Sequence, residues 1–232
     1  VYKRQLSYFQ AGRADAGYKL LKSSVLDGMY LGDSPGNFGQ ISFYDAARGE
    51  CYRDFGDPIG VASRVLIQGL FGILPDALNK QIILRPGFPA DWDKASVSTP
   101  DISYRFTRKE DTDTYHITQR FQTPLHPVLQ INARKEKIRS VKVNDVPATW
   151  QSIESAHGYP LLSIQAEGTS STTITIEWEG APLHTLAAQE PVIASNGKLA
   201  LQIPSGASIS QVYDPQLSLI HISEPTRLAL IS

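Results

Sequence analysis

The side chains best suited to acid/base chemistry lie in one short stretch, GECYRDFGDP, at residues 49–58. Glu50 follows a glycine at the end of a long loop, and Asp54 stands four residues further along, beside Arg53. Two neighbouring carboxyl groups can serve as general acid and general base when their surroundings separate their pKa values. Glu50 and Asp54 are therefore the candidate catalytic residues. The alternatives are a structural Glu50 and a simple ion pair between Asp54 and Arg53.

Asp57 is better explained by helix formation, because Pro58 follows it directly. An acidic N-cap followed by proline at the first helical position is typical of a helix start. The apolar spacing predicts a helix over residues 57–71 that ends near Gly72. The side chains expected to face inward from it are Val61, Val65, Leu66 and Leu70.

A loop at residues 29–50 precedes these carboxylates and is rich in Gly, Ser, Asn, Asp and Pro. Loops of this length in compact domains are usually functional or disordered, and this one carries several aromatic residues. Asn37, Phe38 and Gln40 can line a ligand subsite through amide hydrogen bonds and ring stacking. Arg53 can hold a carboxylate of the ligand in a bidentate grip. A structural Ω-loop held by its own side chains is the alternative.

Composition excludes several other classes of site and partner. The chain has 232 residues and a net charge of −1 without basic runs, which argues against a nucleic-acid partner. No apolar run is long enough to predict a membrane span. Cys51 is the only cysteine and has no nearby histidine, and the histidines lack the spacing of metal ligands. No phosphate-binding loop is present, so we expect neither a metal nor a cofactor.

The residue pattern changes from helical to β near residue 80. Residues 1–76 are rich in Ala, Gly and Leu with helical spacing, and helices are predicted over residues 3–10 and 14–26. From residue 81, Ile, Val and Thr alternate with polar residues between turn signals, which is typical of an antiparallel β-sandwich. The strands are predicted over residues 81–86, 102–106, 114–121, 128–133, 138–143, 161–166, 173–178 and a hairpin at 195–203.

Residues 55–106 resemble one particular junction between two domains. The stretch GLFGILPDAL at residues 69–78, followed by a strand and then PGFPADWDKAS at residues 86–96, is similar to the point where six-hairpin glycosidases pass from an (α/α)6 barrel into a C-terminal β-sandwich. α-L-Rhamnosidase-like and α-L-fucosidase-like enzymes carry comparable junctions. IRSVKVNDVPATW, at residues 138–150, is similar to a strand-turn of their sandwiches. Trp92 is expected to pack this crossing rather than to stack on a sugar.

The resemblance implies an α+β fragment in which the last helices of a barrel precede the sandwich. It implies the C-terminal part of a bacterial glycoside hydrolase, with a carbohydrate as substrate and a carboxylate pair as general acid and base. Most catalytic groups of such a barrel come from upstream hairpins, so the fragment alone is expected to be inactive. A non-catalytic glycan-binding or structural module is the alternative, and a polysaccharide lyase or phosphorylase is a further one. A periplasmic or secreted parent protein is expected.

Both ends of the sequence are expected to be artificial boundaries. Val1 enters a helical pattern without a cap, and LSLIHISEPTR at residues 217–227 resembles a translated sequencing adapter. The domains expected are 1–78 for the barrel helices, 79–182 for the sandwich, 183–216 for an extra β-hairpin or the start of a further strand pair, and 217–232 for the non-native tail.

Overall fold

The computed structural model describes residues 2–26, 43–45, 50–52, 56–153 and 160–183. The chain divides into two compact units, Val1–Leu183 and His184–Ser232. Every described residue belongs to the first unit. The hairpin predicted at residues 195–203 and the tail at 217–232 lie outside the described residues.

Helices form the first part of this unit, as the apolar spacing predicts. Helix α1 spans Tyr2–Gln10 and α2 spans Ala14–Leu26, and the short link between them makes them an antiparallel pair. Helix α3 spans Gly56–Arg64 and continues directly as a π-helix over Val65–Leu70. Within the described ranges, none of the helices is both long and apolar enough to cross a membrane.

The π-helix changes which side of this segment is buried. Its wider turn is closed by a hydrogen bond from the Phe71 amide to the Leu66 carbonyl, five residues back. Val65 and Leu70 are buried as predicted, whereas Leu66 is 41% exposed. The prediction that Leu66 faces inward is wrong because it assumed 3.6 residues per turn through the whole segment.

Two short strands lie between α2 and α3, and strands also form most of the unit after the π-helix. In chain order the described strands are β1 Phe43–Asp45, β2 Glu50–Tyr52, β3 Ile73–Asp76, β4 Gln81–Leu84, β5 Lys94–Ser98, β6 Ile102–Lys109, β7 Thr112–Gln119, β8 His126–Asn132, β9 Lys135–Val143, β10 Val146–Pro147, β11 Gln151–Ile153, β12 Leu161–Gln165 and β13 Ser171–Pro182. Strands β1 and β2 form a hairpin of their own.

The other described strands form two sheets that share one apolar core. The six-stranded sheet has the order β10-β9-β13-β7-β6-β5, and the five-stranded sheet has the order β11-β12-β8-β4-β3. Every pairing is antiparallel except β4 with β8, which is parallel. Ile82 and Leu129 of one sheet, and Ile117 and Ile176 of the other, are completely buried in the common core. The predicted α+β class with antiparallel sheets is therefore confirmed, and the single parallel pair is an addition to it.

Two turns decide the register of the six-stranded sheet. Asn144 and Asp145 link β9 to β10 with φ angles of 49° and 64°, the positive values that a tight hairpin turn requires at both central residues. The turn between β6 and β7 is confined to residues 110–111, because β7 already begins at Thr112. Asp113 is therefore a buried strand residue and not part of the turn.

Candidate functional site

Only one of the predicted site residues lies in the described part of the chain. Glu50 begins strand β2, and its Cα partner across the hairpin is Asp45, a residue that the sequence reasoning did not consider. The loop residues Asn37, Phe38 and Gln40 lie outside the described residues, as do Arg53 and Asp54. The roles assigned to all six remain predictions.

The junction between the helices and the sandwich is built around Phe9 of α1. Phe9 is 4% exposed. A methyl group on Gly17 of α2, on Gly69 of the π-helix or on Gly87 would lie 3.0, 2.7 or 2.3 Å from its ring. The three glycines allow three separate segments to touch one aromatic ring. Gly60 of α3 makes no such close approach, since nothing lies within 4 Å of a Cβ built on it.

Backbone hydrogen bonds complete this junction. The Gly87 amide donates to the Leu70 carbonyl at 3.0 Å, and the Arg85 amide donates to the Gly72 carbonyl at 2.8 Å. Gly72 has a φ of 64°, and a Cβ there would lie 1.9 Å from the Arg85 carbonyl oxygen. The end of the helical part and residues 86–96, which we name the crossing segment, are thus joined through close backbone contacts.

Trp92 packs the crossing segment onto both parts of the unit. Its ring meets Tyr18 of α2 edge-on, with centroids 4.9 Å apart, and stacks on Phe88 at 6.1 Å. Phe88 in turn stacks on Tyr104 and Phe106 of β6. Its place within this series of rings supports the structural role predicted for Trp92.

Asp113 of β7 is the most thoroughly buried carboxylate in the described ranges, with 2% of its surface exposed. Arg108 Nε donates to its Oδ1 at 2.8 Å, and the indole Nε1 of Trp178 donates to its Oδ2 at 3.0 Å. Arg134 Nε lies 3.6 Å from the same Oδ2. Burying a carboxylate is costly unless it is paired and hydrogen-bonded, and here both oxygens have partners.

This carboxylate can stabilise the core but has no open side for a substrate. A glycosidase needs two carboxyl groups that flank the scissile bond. Asp113 also acts on Tyr115 of the same strand, whose pKa is raised by burial and by the charge of Asp113. Burial likewise raises the pKa of Tyr104, with a smaller contribution from Tyr115. The core therefore combines a paired carboxylate with two phenols whose pKa values are raised above the ordinary range.

A cleft of about 280 Å³ lies between the β9–β10 hairpin and the beginning of β8. His126 lines it, and the Nδ1 of this residue accepts a hydrogen bond from the Gly168 amide at 3.1 Å. Glu167 lies 3.6 Å from the same nitrogen, and its side chain is 92% exposed. Among the described residues, no group of three His, Cys, Asp or Glu side chains is placed to hold a metal ion.

The outer face of the six-stranded sheet carries a shallow depression of about 400 Å³. Ser96, Ser98, Arg105, His116 and Thr118 line it. The aromatic residues of these strands point the other way: Tyr104, Phe106 and Trp178 are each 1% exposed, as their alternation predicts. The outer face therefore offers hydroxyl and cationic groups rather than a row of rings.

No protein-family model matches the chain, and no curated protein matches it in sequence. Among solved structures, the chain is similar to two bacterial α-L-rhamnosidases. The enzyme from Dictyoglumus thermophilum aligns with a TM-score of 0.38 and 17% identity over 52% of this chain. The enzyme from Streptomyces avermitilis, complexed with L-rhamnose, aligns with a TM-score of 0.37 and 14% identity over 69% of this chain.

A third similarity is to a family 30, subfamily 8 xylanase, Xyn30A from Clostridium acetobutylicum. It has a TM-score of 0.25 and 13% identity, and covers 72% of this chain and 39% of the xylanase. The alignments cover 14% of each rhamnosidase, so the chain spans only a small part of their length. All three structures are of glycoside hydrolases, and the similarity to each is partial.

Proposed function

We propose that this chain is the C-terminal part of a bacterial glycoside hydrolase that acts on poly- or oligosaccharides. The observation that carries the proposal is the junction at residues 69–96, whose sequence resembles the barrel-to-sandwich crossing of six-hairpin glycosidases. Its residues lock the last helix, the crossing segment and the sandwich together through Phe9, Gly72 and Trp92. The antiparallel pair α1–α2 is the kind of element from which an (α/α)6 barrel is built.

In this proposal the sandwich is a scaffold and the catalytic groups lie in the part of the chain that precedes it. Glu50 and Asp54 act as general acid and general base on the glycosidic bond, at a separation of roughly 5–10 Å according to the stereochemistry. Arg53, Asn37, Phe38 and Gln40 bind the sugar, with Arg53 directed at a carboxylate where the substrate has one.

The proposal is tested with the longer gene product that contains this sequence. We expect it to release reducing sugars from a panel of plant and host glycans. Glu50→Gln and Asp54→Asn should each lower kcat by about 10²-fold or more, because each removes a general acid or base. Asp101→Asn is the matched control, since Asp101 is an exposed carboxylate in the β5–β6 turn, and it should leave kcat unchanged.

Other products would contradict hydrolysis. Unsaturated uronates would indicate a lyase, and sugar phosphates formed only with inorganic phosphate would indicate a phosphorylase. Binding without any turnover would indicate a non-catalytic module. The 232-residue chain alone should be inactive on the same panel, because most of the proposed barrel is outside it. Turnover by this chain would contradict that part of the proposal.

A further inference from the structure

The outer face of the six-stranded sheet carries hydroxyl groups in rows that run across the strands. One row consists of Ser98, Ser103, Thr118 and Ser171, which are Cα partners on β5, β6, β7 and β13. Ser98 and Ser103 place their hydroxyl oxygens 3.0 Å apart. Arg120 donates from Nη2 to the Ser103 hydroxyl at 2.9 Å, which adds a cation to this row.

The next row adds two further nitrogen-bearing side chains. Ser96, Arg105, His116 and Thr173 are Cα partners across the same four strands. Arg105 and His116 are exposed, and the Nδ1 of His116 lies 2.9 Å from the Thr173 hydroxyl. The guanidinium of Arg105 takes part in none of the ion pairs of the described residues.

A third row has a lysine at each end. Lys94, Thr107, Thr114, Thr175 and Lys142 are successive Cα partners from β5 to β9. Neither lysine belongs to an ion pair among the described residues. Strands in a sheet are about 4.8 Å apart, so each row presents a polar group at about that interval. We name these three rows together the hydroxyl face.

Positive charge is concentrated on the hydroxyl face. Lys94, Arg105, Arg120 and Lys142 belong to it, and the strand positions that form its rows carry no carboxylate; Glu177 lies in the row beyond. The face therefore carries a local excess of positive charge, although the whole chain has a net charge of −1. A local field of this kind attracts anionic ligands.

The chemistry of the hydroxyl face favours one class of anion. Ser and Thr hydroxyls both donate and accept, which suits a ligand rich in hydroxyl groups, and arginine suits a carboxylate. The rows contain no Phe, Tyr or Trp ring, the large aromatic surfaces on which nucleic-acid bases stack. They also contain no large apolar side chain that can enter a lipid surface. A polymer carrying both carboxylates and hydroxyls fits these features best.

We infer that the hydroxyl face binds an acidic polysaccharide. Arg105, Lys94 and Lys142 hold uronate carboxylates, and the Ser and Thr rows exchange hydrogen bonds with the sugar hydroxyls around them. The shallow depression over Arg105 and His116 is the centre of this surface. The inference rests on the proposed function only in taking the ligand to be a carbohydrate. Binding of the polysaccharide to the hydroxyl face does not require that it be hydrolysed.

The test compares two forms of one polymer on the 232-residue chain. Polygalacturonate should bind, and fully methyl-esterified pectin, which lacks the free carboxylates, should bind at least tenfold more weakly. The double variant Arg105→Gln/Lys142→Gln should lose about tenfold in affinity for polygalacturonate, as expected for two exposed charge pairs. Binding should vanish near 1 M ionic strength, where the Debye length is about 3 Å.

The matched control is Lys19→Gln/Lys22→Gln, which removes the same charge from exposed positions on α2. It should bind polygalacturonate like the original chain, and an equal loss would show that only net charge matters and would overturn the inference. Equal binding of the esterified polymer, or tighter binding to single-stranded DNA or to anionic vesicles, would also overturn it. If the longer gene product hydrolyses only neutral glycans and this chain does not bind polygalacturonate, the inference fails and the proposed function stands. If the longer gene product binds polygalacturonate but turns over none of the glycans, the proposed function fails and the inference stands.

Discussion

At the scale of single residues, the core of the sandwich depends on a charge that the sequence pattern does not reveal. Asp113 occurs in the segment EDTDT, whose composition is typical of a turn. The register of β6 and β7 instead places it between Arg108 and Trp178, inside the core. Once it is there, removing its charge leaves two arginines without their counter-ion.

Asp113→Asn is therefore expected to lower the free energy of unfolding by about 3 kcal/mol, because it breaks a buried charge network and leaves two partly buried arginines without their counter-ion. Asp111→Asn is the matched control two residues earlier. Its carboxylate is 56% exposed and is bonded to Lys135. This bond lowers the pKa of Asp111, and solvent screens the pair, so the control should change stability little. Chemical denaturation of both variants measures the difference, and equal losses would contradict the buried-charge account.

Tyr104 presents the opposite case, a polar atom that the core does not satisfy. Its hydroxyl is buried and has no hydrogen-bond partner in the described structure. Tyr104→Phe removes that unpaired group and keeps the ring stacked on Phe88. We expect the variant to be as stable as the original chain or about 1 kcal/mol more stable. A clear loss of stability on denaturation would mean that the hydroxyl makes an essential bond.

At the scale of elements, the contact between the π-helix and the crossing segment depends on backbone shape. Gly72→Ala should destabilise the chain by several kcal/mol, because φ is 64° and the new methyl group would meet the Arg85 carbonyl. Gly60→Ala is the matched control inside α3, where nothing lies within 4 Å of the added group. It should stabilise the helix by about 0.5–1 kcal/mol. Thermal unfolding of the two variants should shift in opposite directions, and shifts in the same direction would contradict this account.

The elements that the sequence predicts well are those with a strong local period. The boundaries of α1 and α2 lie within one residue of the predicted ones. In β6, β7 and β13 the side chains alternate between buried and outward-facing positions, and Tyr104, Ile117 and Ile176 are among the buried ones. Side-chain alternation depends only on neighbours along the chain, so it is visible in the sequence.

The elements that the sequence misses depend on distant parts of the chain. The parallel pairing of β4 with β8 joins strands more than forty residues apart. Strand β3 contains Pro75, a residue that is usually absent from central strands but that an edge strand tolerates. The π-helix has about one more residue per turn than an α-helix. The local sequence pattern does not distinguish it from an α-helix in which Leu66 is buried.

At the scale of the whole molecule, the candidate site is less predictable than the fold. A carboxylate's role depends on its partners in space, and composition alone does not distinguish Glu50 in β2 from Asp113 in β7. The hydroxyl face is equally hard to predict from the sequence, because its residues come from five strands and form one surface only through the register of those strands. A surface assembled from many strands can be recognised only when the pairing of those strands is known.

The core as a whole should lose stability at alkaline pH. The folded pKa values of Tyr104 and Tyr115 are raised above the ordinary value of 10.0, chiefly by burial. Above about pH 10 the unfolded chain releases these protons while the folded chain keeps them, so the unfolded state becomes favoured as the pH rises. Below pH 10 both states hold the protons, and this contribution does not change with pH.

The expected fall in the free energy of unfolding is up to about 1.4 kcal/mol per pH unit for each tyrosine. Denaturant titrations between about pH 8 and pH 11 measure it, since that range spans the ordinary tyrosine pKa. Tyr104→Phe with Tyr115→Phe is the control, because it removes both phenols and keeps both rings. The double variant should have a flatter pH dependence above pH 10 than the original chain. An unchanged slope would show that other groups cause the alkaline loss, since the two buried phenols would then contribute nothing to it.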